Sequence, residues 1–192
     1  MQPRLLIVDN YDSFTYNLVQ IVEMHGNWAF DVVKNDRIPL EEVGRYDKIL
    51  FSPGPGLPAE ACIMKKIIQS YGETKCILGI CLGLQAIVES FGGRLINLPA
   101  VYHGIRQRIS IIDRNEVLFD RLSSGFKAGL YHSWAADKDS MPSSLKITAL
   151  SEDGIVMAIS HNRFDIKGVQ FHPESYMSDE GPKIIANWLN CK

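Results

Sequence analysis

The chain has 192 residues, 46% of them hydrophobic and 22% charged, the balance of an ordinary soluble globular protein. Twenty basic against 22 acidic residues leave a net charge of −2, too little for a broad field, so neither nucleic acid nor an anionic membrane is expected as a partner. The length suits one domain over residues 1–192.

The apolar run Leu5 to Val8 is too short for a signal-peptide core or a bilayer span, and it is predicted as a strand buried on both faces. Asp12 or Ser13 can cap the following helix, where Phe14, Leu18, Ile21 and Val22 recur at helical spacing and Gly26 stands at the C-terminal glycine position. Strands are predicted over Trp28 to Lys34 and Lys48 to Ser52, then a helix over 59–70. Lys75 to Ile80 is a further buried strand, and Leu82 to Phe91 a helix ended by Gly92 and Gly93. This alternation argues for a mostly parallel sheet with helices on both faces. Arg106 to Ile112, Leu145 to Leu150 and Ile155 to His161 are predicted as strands, the last two joined by the turn Glu152-Asp153-Gly154, which suggests an antiparallel extension of the same sheet. Gly168 to Phe171 reads as a strand, and Pro182 opens a helix reaching Leu189.

Gly79-Ile80-Cys81-Leu82-Gly83 joins a strand to a helix. The same pattern with serine is a nucleophile elbow, in which flanking glycines permit a tight turn that lifts the central side chain above the sheet. The helix dipole there favours a thiolate, and the Leu82 amide points to where an oxyanion would develop. Cys62, Cys76 and Cys191 lack such a setting and read as small buried hydrophobes. No CxxC pair occurs, so the thiols are expected to be reduced in a cytoplasmic protein, with no metal and no cofactor.

A thiol nucleophile needs a base, and the base needs an orienting group. His172-Pro173-Glu174 ends the predicted strand at 168–171, and two residues apart on extended chain the imidazole and carboxylate would face the same way. Ser52-Pro53-Gly54-Pro55-Gly56 follows another strand. Its glycine amides can present N–H groups to a carbonyl or anion, and it lacks the Lys-Ser/Thr ending of a nucleotide-binding P-loop.

Taken together, the PGPG loop, GICLGLQ and QFHPES resemble the class I, triad-type glutamine amidotransferases over essentially the whole chain. The resemblance implies a flavodoxin-like α/β fold. It implies Cys81 attacking the side-chain amide of L-glutamine, His172 as general base and acid, and Glu174 orienting His172. It places the oxyanion hole at the Leu82 amide and at Gly54 or Gly56, and Gln85, Ser133 and Trp134 at the amino-acid end of the substrate. The opening Asp9-Asn10-Tyr11-Asp12-Ser13-Phe14-Thr15-Tyr16-Asn17, with His103-Gly104 and Tyr131-His132-Ser133, is similar to the glutaminase subunits of chorismate-using synthases, which form anthranilate or 4-amino-4-deoxychorismate. A chorismate-binding synthase subunit is therefore the implied partner, with Tyr11 and residues 103–106 as candidate contacts. Leu84 stands where many members of the family carry histidine, with little effect expected on the chemistry since His172 supplies the base. Ile105 and Trp134 depart from the usual lysine and leucine, which touches partner contact and activation rather than the triad. A glutaminase of another pathway, a free-standing γ-glutamyl thiol hydrolase and a catalytically silent scaffold are the rival readings.

Overall fold

Uninterrupted apolar runs govern the first half of the chain. In a computed structural model, which describes residues 2–61 and 63–191, they form the strands of a parallel sheet. In chain order these are β1 (Arg4–Asp9), α1 (Thr15–His25), β2 (Ala29–Lys34), β3 (Lys48–Phe51), α2 (Ile63–Tyr71), β4 (Cys76–Ile80) and α3 (Leu82–Ser90). The second half adds β5 (Leu95–Ile111), β6 (Gly125–Ala136), β7 (Leu145–Ser151), β8 (Val156–His161), β9 (Ile166–Val169) and α4 (Gly181–Asn190).

Among the described residues all nine strands share one sheet in the order β2-β1-β3-β4-β9-β8-β7-β5-β6. The first five are parallel. The remaining pairings are antiparallel, as the sequence suggested. Leu5 and Ile7 enter one apolar layer with Leu18 and Val22 of α1 and Ile184 and Trp188 of α4. Leu6 and Val8 enter the other with Met64 and Ile67 of α2 and Ile87 of α3. Each of these four strand side chains is wholly buried, which at roughly 1.5–3 kcal/mol apiece makes β1 worth about as much as a domain's entire net stability. It cannot leave the sheet while the chain stays folded. Among the described residues no helix is long and apolar enough to cross a membrane.

Several elements differ from their predicted form. Phe14, not Asp12 or Ser13, is the N-cap of α1, and no side chain caps it. The Asp12 carboxylate accepts from the Phe14 N–H at 2.8 Å, while Asp9 Oδ1 accepts from the Tyr11 N–H at 2.8 Å and the Thr15 hydroxyl at 3.0 Å. These bonds fold the opening motif into a turn ahead of the helix. Gly26 does end α1, with φ 77° and its N–H on the Val22 carbonyl. The helix predicted over 59–70 begins at Ile63, because residues 58–60 form a turn.

The predicted strand at 106–112 is the end of the much longer β5, whose partner β6 was not anticipated. Their register slips between Asn97 and Tyr102 and between His103 and Ile105. Pro99 falls in the first slip and Gly104, at φ 67°, in the second, the irregularities where proline and glycine are tolerated in strands. β9 ends at Val169 rather than Phe171. The Gln170 N–H turns to the Met157 carbonyl and the His172 N–H to Gly129 of β6, which draws the chain away from β4.

Candidate active site

β4 passes into α3 through Cys81, whose backbone lies at φ 50°, ψ −98°, a conformation that costs on the order of 1–3 kcal/mol for a residue with a side chain. Two glycines allow it. A Cβ on Gly79 would lie 2.4 Å from the Gly83 carbonyl carbon, and one on Gly83 would lie 2.9 Å from Phe51 Cβ. The Cys81 N–H donates to the Val169 carbonyl at 2.7 Å, and the Cys81 carbonyl accepts from the Gln85 N–H at 3.1 Å. Strand therefore gives way to helix within one residue, with the thiol at the helix's amino end. Because β4 pairs with β9, the chain leaving β9 passes beside that thiol.

The His172 N–H donates to Gly129, and the His172 carbonyl accepts from the Ser178 hydroxyl at 2.6 Å. Residues 172–175 form a turn closed by the Ser175 N–H on the His172 carbonyl at 3.2 Å. The extended pairing expected from sequence is thus corrected. Pro173 occupies the second turn position, which its fixed φ suits, and the turn brings Glu174 back to the ring. His172 Nδ1–H donates to Glu174 Oε1 at 2.7 Å, both side chains being buried; an ionised carboxylate only accepts, so the proton sits on Nδ1. Nε2 is buried and has no hydrogen-bond partner of normal geometry among the described residues, yet the Cys81 sulfur acts on the ring. Burial disfavours the imidazolium, but hydrogen bonding to Cys81 and Glu174, with the negative charge of both, outweighs it and holds the His172 pKa well above the usual histidine value. Phe14 and Tyr131 pack edge-on against the imidazole, with ring centroids 6.2 and 4.9 Å away.

Cys81 opens onto a cavity of about 160 Å³, smaller than a drug-sized site and suited to one small metabolite. Gly54, Gly56 and Leu82 line it on one side, and Gln85, Ser133 and Trp134 on another. Every residue assigned from sequence to substrate or oxyanion binding thus borders one cavity. Tyr131 and His132 complete the wall. A larger hollow of about 420 Å³ beside Asp120 and Lys183 lies away from this chemistry.

Asn10 secures the PGPG loop. Its N–H donates to Ser52 Oγ at 2.9 Å and its side-chain amide to the Ser52 carbonyl at 2.8 Å. Gly54 packs so closely that a Cβ there would lie 2.6 Å from the Asn10 carbonyl oxygen.

Sequence reasoning saw Gln170 only as the first residue of QFHPES and gave it no role, yet its Nε2 lies 3.3 Å from the Cys81 sulfur. It saw Asn10, Tyr131 and His132 only as parts of motifs. His132 is buried, its Nδ1–H donates to the Trp134 carbonyl at 3.0 Å, and burial pushes its pKa down to about 4. Leu84 is fully buried against Gly168 and takes no part in the cavity. Cys76 and Cys191 are free thiols, half-buried rather than buried, and burial pushes the Cys76 thiol up to about 12. Cys62 lies outside the described residues.

The family model Glutamine amidotransferase class-I matches residues 6–191. Anthranilate synthase component 2 of Cyanophora paradoxa is 41% identical over 191 residues, covering 97% of this chain and 98% of its own. The chloroplastic anthranilate synthase beta subunit 2 of Arabidopsis thaliana is 42% identical over 191 residues, 96% of this chain and 70% of that protein. A solved Thermoplasma acidophilum structure, described as a GMP synthase protein, superposes with a TM-score of 0.88 over 98% of this chain and 93% of that one. At 24% identity that likeness concerns the fold. A family match spanning residues 6–191, over a strained elbow cysteine beside a carboxylate-bound imidazole, leaves one assignment: the chain belongs to the class I glutamine amidotransferase family.

Proposed function

We propose that the chain hydrolyses L-glutamine through a Cys81 thioester and passes the ammonia to a chorismate-using synthase subunit. The observation that carries this reading is the buried 2.7 Å bond from His172 Nδ1 to Glu174. It occupies Nδ1 and so leaves Nε2 as the ring atom to exchange a proton with the Cys81 sulfur, which already acts on the ring. In the first step the thiolate attacks the amide carbon, a C–S bond forms and the carbonyl electrons move onto oxygen. N–H groups of Leu82 and of Gly54 or Gly56 would meet that oxyanion, each such donor typically supplying about 3 kcal/mol. Collapse breaks the C–N bond as His172 gives its Nε2 proton to departing ammonia. Neutral His172 then takes a proton from water, the resulting hydroxide attacks the thioester, and collapse expels glutamate from a thiolate again paired with imidazolium.

A cavity of about 160 Å³ favours free glutamine over larger γ-glutamyl conjugates, with Gln85, Ser133 and Trp134 at the substrate's amino-acid end. The relatives named as anthranilate synthase components favour an anthranilate-forming partner in tryptophan biosynthesis. Free thiols at Cys76, Cys81 and Cys191 suit the reducing cytoplasm. The test mixes the chain with chorismate and glutamine and, in separate arms, with an anthranilate-forming or a 4-amino-4-deoxychorismate-forming chorismate-binding subunit. Glutamine-dependent anthranilate is the expected product, and the second arm reads whether one subunit serves both. No glutamine-dependent product in either arm contradicts the proposal.

A further inference from the structure

We propose that Gln170 is a further catalytic residue, whose side-chain amide donates a hydrogen bond to the Cys81 sulfur and stabilises it as the attacking and departing anion. The inference rests on the reading of Cys81 as nucleophile. Gln170 is wholly inaccessible to solvent and its Nε2 lies 3.3 Å from Sγ.

The direction of this amide is fixed by its neighbours. Gln170 Oε1 accepts from Gln85 Nε2 at 3.3 Å, and Gln85 Nε2 places its other proton on the Trp134 carbonyl at 3.0 Å. A carbonyl can only accept, so Gln85 must present its NH₂ to both partners, and Gln170 must turn its oxygen to Gln85 and its NH₂ to the sulfur. Flipping Gln170 would set two NH₂ groups against each other in a buried space, which leaves donors unsatisfied. The chain of bonds from Trp134 through Gln85 and Gln170 to Cys81 therefore has a single polarity, ending in a donor at sulfur.

A donor on the anion favours the charged form. Among the described residues no lysine or arginine lines the cavity. Of the titratable groups nearby, His172 from the turn after β9 interacts with both Cys81 and Glu174. Tyr131 and His132 from β6 line the same cavity as Cys81, and Asp12 from the loop after β1 interacts with His172 and Glu174. Sulfur in a thioester is a weak acceptor, whereas the thiolate expelled on hydrolysis is a strong one. The Gln170 bond thus strengthens as the C–S bond breaks, which is stabilisation of the transition state rather than of the intermediate.

The test compares Gln170→Met, similar in length but without donors, and Gln170→Glu, which sets an acceptor against the sulfur. Iodoacetamide labelling of the Cys81 peptide is followed by mass spectrometry near neutral pH and in alkali strong enough to ionise the thiol fully. Near neutrality the rate is expected to fall about 10-fold for Gln170→Met, the worth of one hydrogen bond to a charged group, and further for Gln170→Glu. In alkali the rates should converge with the parent's. Glutamine hydrolysis should lose kcat by about 10-fold with KM for glutamine changed less than about threefold, since the contact is with sulfur rather than substrate. Parental labelling by a folded Gln170→Met near neutral pH overturns the proposal. Should neither variant fold, ¹⁵N resonances of the Gln170 side-chain amide are followed in the parent while Cys81 is alkylated. They are expected to move, and static resonances overturn the proposal. A parent that labels at Cys81 yet turns over no glutamine with any synthase subunit defeats the amidotransferase mechanism instead, which the labelling comparison does not depend on.

Discussion

Exchanging Glu174 for glutamine keeps the shape of the side chain and deletes its charge, which isolates what the carboxylate does for His172. The bond at issue is 2.7 Å long and joins two buried groups, so solvent does not take over when it weakens. The glutamine oxygen can still accept from Nδ1–H, but a neutral acceptor replaces a charged one, a loss of roughly 1–1.5 kcal/mol, the difference between a charge-assisted bond and an ordinary one. That predicts a fall in kcat of about 5- to 12-fold. Glu174 borders a groove with Asn17, Gln20 and Met24 and does not line the cavity at Cys81. KM for glutamine is therefore expected to stay within about threefold of the parent's, the pattern of an interaction made mainly in the transition state. The assay is steady-state release of glutamate from glutamine with the synthase partner present, alongside iodoacetamide labelling of Cys81, which should still proceed. An unchanged kcat would remove Glu174 from the mechanism. A raised KM with kcat intact would make it a substrate-binding group.

Two further outcomes follow from the geometry. In Gly79→Ala the new methyl would sit 2.4 Å from the Gly83 carbonyl carbon, so denaturant titration should show a loss of about 1–3 kcal/mol or more; parental stability with parental turnover would contradict the need for so close an elbow. His132, whose pKa is pushed down to about 4 by burial, binds a proton in the unfolded chain between pH 6.5 and 4 that the folded chain refuses. Stability is thus lost as pH falls through that window, by roughly 3 kcal/mol in full. His132→Asn, which keeps a donor for the Trp134 carbonyl, should lose less stability than the parent on acidification, and identical losses would refute the argument.

The parallel half of the fold was legible because β1, β3 and β4 are runs whose apolar side chains fill both layers. The β5–β6 ribbon was not, for a physical reason: its outer part lacks one buried face. Ile96 is 43% and Val101 68% exposed, and the register slips around Pro99 and Gly104 erase the alternation that marks a strand. The tight strand-to-helix turn at Cys81 was legible because so close a bend demands glycine on both sides, at Gly79 and Gly83. The partnership of His172 with Glu174 was also legible, although the geometry given for it was not. Proline between them was read as ending a strand, while it serves as the corner of a turn. Gln170 was seen only as the first residue of QFHPES, and its contact with Cys81 was not legible, since a glutamine beside a strand has such chemistry only once β4 and β9 are known to be neighbours. Asn10 was hidden likewise, its role depending on a loop 42 residues away.

The most direct measurement is made on Cys81→Ala in complex with the chorismate-binding subunit, supplied first with glutamine and then with an ammonium salt. Glutamine-dependent product should vanish while ammonia-dependent product persists, because the sulfur opens glutamine and the partner only consumes what is released. Product formed from glutamine at the parent's rate would contradict the account.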